Sequence, residues 1–178
     1  LETCNACRLL GTHSTQEVDV VSLTSLWMPI LLSAVVVFIA SSVVHMVLTH
    51  HRTDFGQLPK EGDVMEALRK FNIPPGDYIM PFCSDPAKMK SPEFQEKWTR
   101  GPLMMATFWK PGPIQMGGQL AQWFVFCLVV SVFAAYLGSR TLATGAEYLR
   151  VSQLTSTVAF LGYTMARWSD VIWYKRQW

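Results

Sequence analysis

Three imidazoles and a carboxylate, His45, His50, His51 and Asp54, fall within ten residues and are the densest group of potential metal ligands in the chain. Imidazole and carboxylate together suit a divalent transition metal, and His45, inside an apolar run, could bind a haem iron axially. The spacing argues for a plainer role. The separations of five and six residues would not aim His45 with either neighbour on a continuous helix, and neither HxxxH nor HExxH is present. The preferred reading is a solvated juxtamembrane cap with His45 used for packing; bound haem or a divalent metal is the alternative. Cys4-Asn5-Ala6-Cys7 with His13 offers three further soft or borderline ligands, one short of a closed zinc site. Haem attachment would need His where Arg8 stands. Arg167 and Asp170, three apart, can pair or, less simply, relay a proton. No P-loop, GxSxG, GxGxxG or pair of carboxylates within a span occurs, which disfavours an enzyme of a common class.

The elements that must position these groups are unusually apolar. Of 178 residues, 50% are hydrophobic and 16% charged, with a formal net charge of +2. That balance excludes disorder and gives no electrostatic footprint for nucleic acid. The apolar residues concentrate in three blocks. Positions 26–48 and 120–138 are each long enough to cross a bilayer, which takes about 20 residues of helix. The third block, from Val151, reaches that length only by continuing past Arg167 to Tyr174. A signal peptide is a poorer account of the first block, because a signal h-region is only about 7–15 residues long and follows a basic stretch, whereas Glu17 and Asp19 precede this one.

The expected fold is therefore an all-α integral membrane protein: three transmembrane helices and a partly helical cytoplasmic loop between the first and second. Residues 1–24 are an extracytoplasmic segment, 25–49 the first span, 50–118 the loop, 119–138 the second span, 139–150 a short outer loop, 151–174 the third span and 175–178 a cytoplasmic end. A GTG start codon at Val21 would make 1–20 upstream sequence. Within the loop, the pattern predicts helices near 63–71, capped by Asp63, and 91–99, capped by Ser91 with Pro92 in the first turn. The apolar heptad 103–109 is either an interfacial segment or a buried strand or helical turn. Twelve Lys and Arg lie on the loop and tail side, nine in 49–119 and three from Arg167 onward, against Arg8, Arg140 and Arg150 on the other. The positive-inside rule places the loop and residue 178 in the cytoplasm, with the N-terminus outside a bacterial inner membrane.

Small residues recur at helical spacing on all three spans: Ser33 and Ser41; Ser131, Ala135 and Gly138; Ala159, Gly162 and Ala166. Such faces let helices approach closely, so the expected partners are membrane lipid and other membrane chains, or a second copy. The function this suggests is a non-catalytic accessory or scaffold subunit. A metal- or haem-binding membrane protein, or a small oligomeric transporter, is the alternative.

Two stretches, Ser25-Leu26-Trp27-Met28-Pro29-Ile30-Leu31-Leu32-Ser33 and Ile172-Trp173-Tyr174-Lys175-Arg176-Gln177-Trp178, with Pro74-Pro75-Gly76-Asp77-Tyr78 between them, carry a resemblance. Over about residues 22–178 the chain resembles a family of small uncharacterised bacterial polytopic membrane proteins. The resemblance implies no established activity, and it implies a further apolar segment beyond the Lys-Arg-x-Trp ending.

Overall fold

The computed structural model describes residues 21–49, 54–174 and 176. Two stretches of helix dominate by apolarity. The first opens with a 3₁₀ turn, Leu23–Leu26, continues as α1, Trp27–Ser42, and closes with a π turn, Val43–Val47. Pro29 sits early in α1, where its missing N–H breaks no helical bond. Between α1 and the next apolar helix lie α2 (Glu61–Lys70), strand β1 (Gly76–Met80), α3 (Pro92–Arg100) and strand β2 (Met104–Phe108). Then come α4, Gly117–Thr141, and a helix comprising α5, Tyr148–Phe160, a π turn, Leu161–Met165, and α6, Ala166–Tyr174.

Leu23–Val47 and Gly117–Thr141 are each 25 residues long and apolar enough to cross a membrane. A helix apolar on every side is either a core helix or a bilayer span. In these two, only 6% and 11% of the most apolar stretch is buried within the chain, so neither is enclosed as a core helix would be. The third helix is more polar. Its threonines hide their hydroxyls locally: Thr155 donates to the Val151 carbonyl at 2.9 Å and Thr157 to that of Gln153 at 2.7 Å.

The chain divides into two compact units, Leu1–Ser41 with Ala121–Ala166, and Ser42–Leu120 with Arg167–Trp178. Every buried described residue, Ala34, Cys127, Val130, Ser131 and Ser139, belongs to the first unit. There Trp123 donates its indole N–H to Ser41 Oγ at 2.7 Å, Ser41 in turn donates to the Phe38 carbonyl, and Phe38 meets Phe124 edge-on.

The second unit corrects the all-α expectation. β1 and β2 pair antiparallel, Gly76 opposite Phe108 through Met80 opposite Met104. Thr107 donates to Asp77 Oδ1 across the ladder at 2.7 Å, and the Tyr78 and Phe108 rings meet edge-on. The 103–109 heptad is thus largely a strand, although its large residues Met104 and Met105 stay exposed. Local pattern favoured no strand at β1, because Gly and Asp are poor strand formers and Pro74-Pro75 reads as a loop; the pairing across the intervening chain decides it.

The two loop helices form close to their expected places. α2 starts at Glu61, two residues before the expected cap, with Lys60 as N-cap in a left-handed conformation (φ 54°). Asp63 therefore lies within the first turn, beside Glu61, where both acids complement the helix dipole without capping. Ser91 does cap α3, its Oγ accepting the Phe94 N–H at 3.3 Å, and Gly101 ends that helix at φ 63°, a conformation only glycine adopts without strain. Glu93 and Lys97 form a 2.6 Å ion pair one turn apart. The pair holds the Glu93 carboxyl below its ordinary value and the Lys97 ammonium above its own.

Ser91→Ala should cost α3 about 1 kcal/mol, raising amide hydrogen exchange at Phe94 to Glu96 about fivefold and leaving α2 unchanged. Because the Glu93 value is lowered and that of Lys97 raised, the pair supports α3 between their two ordinary ranges. Its contribution is lost as pH falls through the carboxylate range and again as pH rises through the ammonium range. Protection factors of α3 measured at pH 3, 7 and 11 should peak at 7, and Glu93→Gln should flatten that profile.

Candidate functional site

The first unit holds an open-sided slot of about 500 Å³. Its walls are the small-residue faces. Ile30, Ser33 and Val37 come from α1 at the three-and-four spacing that shares a helix face; Ser131, Ala135 and Gly138 come from α4; Ser156, Ala159 and Tyr163 come from the third helix. Five of the eight residues read as packing positions, Ser33, Ser131, Ala135, Gly138 and Ala159, thus face a common space instead of closing on one another. Two more make contacts: Gly162 lies against Val130, and Ser41 receives the Trp123 hydrogen bond. Ala166 is exposed.

Two glycine contacts define the slot between α4 and the third helix. At Gly162 a Cβ would stand 3.1 Å from both Val130 methyl groups, closer than ordinary van der Waals contact. At Gly138 it would stand 3.8 Å from the Leu154 side chain, an ordinary distance. Near the first contact the rings of Trp123, Phe126 and Tyr163 cluster, with centroids 5.3 to 6.1 Å apart. The Tyr163 hydroxyl is buried without a hydrogen-bond partner, beside the buried Cys127 thiol. The Trp123 indole N–H, which needs an acceptor when buried, finds one in Ser41 Oγ.

The slot is open along one side. Its lining is chiefly Ala, Val, Ile, Leu and Gly, and the few hydroxyls include Thr155 and Ser139, which already donate to backbone carbonyls.

A second, more polar cavity of about 340 Å³ adjoins the first, with Val21 and Ser139 lining both. Ser22, Leu23, Thr24, Tyr136 and Arg140 complete its wall, and the Ser22 and Thr24 hydroxyls lie 2.7 Å apart. The Arg140 guanidinium sits over the Tyr136 ring, 5.6 Å from its centroid, and no carboxylate pairs with it among the described residues. Arg140 had counted only toward topology.

Of the histidine group, His45 and Asp54 belong to the described residues. His45 lies in the π turn Val43–Val47 and Asp54 in the following loop. His50, His51, Cys4, Cys7 and His13 lie outside the described residues, and among those described no three His, Cys, Asp or Glu side chains could share a metal ion. Arg167 and Asp170 do pair, at 3.6 Å. No protein-family model, curated protein or solved structure matches the chain.

Gly162→Ala should overpack the Val130 contact at a cost of about 1–3 kcal/mol, lowering the unfolding temperature of the detergent-solubilised protein by several degrees. Adding Val130→Ala should recover most of that loss, whereas Gly138→Ala alone should be near neutral. Trp123→Phe should cost about 0.6 kcal/mol, the average for a hydrogen bond between membrane helices.

Proposed function

We propose that the protein is an integral membrane accessory subunit, its two strongly apolar helices and its third helix all crossing the bilayer, that presents the Ser42–Leu120 region to a partner protein on the cytoplasmic face. The observation that carries this reading is the state of that region. It contains two helices and a two-stranded sheet, yet none of its described residues is fully buried. Phe71, Phe82, Trp109 and Ile114 are 71%, 73%, 84% and 94% exposed. An isolated two-stranded sheet is marginal in water, and large exposed apolar side chains mark an interaction surface. A protein partner accounts for them better than the lipid surface alone, because nine basic and eight acidic residues in 49–119 leave almost no net attraction for anionic headgroups.

The low burial of the apolar helices supports a bilayer setting, and the Lys and Arg distribution supports a cytoplasmic loop. A bacterial inner membrane and the family resemblance belong to the same proposal. Catalysis forms no part of it.

Cys83 is half-buried in the loop and reports topology directly. A full-length chain keeping Cys83 as its only cysteine should resist a membrane-impermeant maleimide added outside intact cells and react once the membrane is opened. Labelling in intact cells would overturn the orientation. A photo-crosslinker placed at Trp109 or Ile114 should capture one protein chain at near-stoichiometric yield, with Phe82→Asp reducing that yield at least fivefold. Capture of lipid alone would replace the partner protein with the membrane surface.

A further inference from the structure

We propose that the helical unit is a phospholipid-binding site, one acyl chain lying in the slot between α1, α4 and α5 and the lipid phosphate seated on Arg140. The inference rests on the membrane setting proposed above but not on the accessory role.

Shape selects the chain. The lining runs along α4 from Val130 to Leu142, about 18 Å at 1.5 Å per residue, so a volume of about 500 Å³ gives a mean cross-section of about 28 Å². An α-helix with side chains is about 10–12 Å across, or about 80–110 Å² in section, so a whole helix is a poorer match to the slot than a single chain. A single alkyl chain fits. An apolar protein cavity of about 150 Å³ accepts benzene, and by that scale this volume accommodates roughly twenty carbon atoms.

Charge selects the head. Arg140 stands at the last turn of α4, in the polar cavity that shares Val21 and Ser139 with the slot. Its guanidinium is placed by the Tyr136 ring and has no carboxylate partner among the described residues. Arg matches phosphate geometry with paired N–H donors, and the Ser22 and Thr24 hydroxyls on the same wall can bond ester and glycerol oxygens. An apolar slot adjoining a cationic, hydroxylated pocket is complementary to a molecule with a long chain and a phosphate head. A neutral glyceride or inorganic phosphate satisfies only part of it.

The test is native mass spectrometry of the delipidated full-length protein in detergent micelles, titrated with palmitoyl-oleoyl phosphatidylglycerol, with palmitoyl-oleoyl glycerol and with inorganic phosphate. One phosphatidylglycerol should be retained per chain, at least tenfold more tightly than the glyceride, and inorganic phosphate should not displace it. Arg140→Gln should remove that tenfold preference and Arg140→Lys should restore part of it. Ala135→Trp and Ala159→Phe, on two different walls, should each reduce retention at least tenfold, while Phe133→Trp, which is not on the lining, should leave it unchanged. Should one wall variant fail to fold, the other and the Arg140 pair still decide. Equal retention of lipid and glyceride, retention that survives both wall variants, or no retained lipid in the unsubstituted protein would overturn the site. The Cys83 labelling pattern is read separately, so failure of the membrane setting is distinguishable from failure of the lipid site.

Discussion

The close approach at Gly162 is the contact on which the helical unit depends. A Cβ there would stand 3.1 Å from both Val130 methyl groups, so the π turn carrying Gly162 and Tyr163 lies against α4 at a distance that suits a position with no Cβ. Around it the aromatic cluster of Trp123, Phe126 and Tyr163 fills the space, and the Trp123 hydrogen bond ties α1 to α4 at Ser41. Toward the other end, Gly138 faces Leu154 at ordinary contact distance. Small residues between these two contacts leave the helices spaced by their neighbours and not by their own bulk. The slot is a consequence of that arrangement.

The same residue types thus serve two ends. In a tightly packed bundle, Ala135, Ala159 and Ser131 would let backbones meet; here the surrounding contacts hold the backbones apart and small side chains become walls. Hydroxyls are tolerated along the slot because several of them turn back onto their own helix, as Thr155 and Ser139 do, which removes a donor from an apolar setting. Both features suit an occupant that is chiefly hydrocarbon. The polar end of the space lies at Arg140 in the last turn of α4, as a molecule with one charged end requires.

The second unit obeys a different constraint. Its elements are capped and paired locally, by Ser91 at α3, by the acids in the first turn of α2, and by the Thr107 to Asp77 bond across the sheet. Local bonds of this kind shape elements without enclosing them. With no fully buried side chain among its described residues, the unit lacks the apolar burial that dominates folding free energy. A covering surface would supply the burial that the unit lacks.

What the sequence determined by itself was whatever depends on near neighbours. The run of uncharged residues through α1 and α4, the Ser91-Pro92 start of α3 and the Arg167 to Asp170 pair all follow from spacing within a turn or two of helix, and all were legible. The cap of α2 was misplaced by a few residues because Lys60 adopts its left-handed conformation without a side-chain bond that the sequence could announce. The hairpin was not legible, because Gly76 to Met80 has little strand character and acquires it only by pairing with partners 24 to 32 residues away. The slot was half legible: periodicity identified the small-residue faces but not whether they would close or stand apart. That was decided by the contacts at Gly162 and Gly138, which join residues 16 to 32 positions apart. Only the tertiary structure brings such pairs together, because the separation between helices is set by the largest groups at their contacts and not by the residues that line the gap.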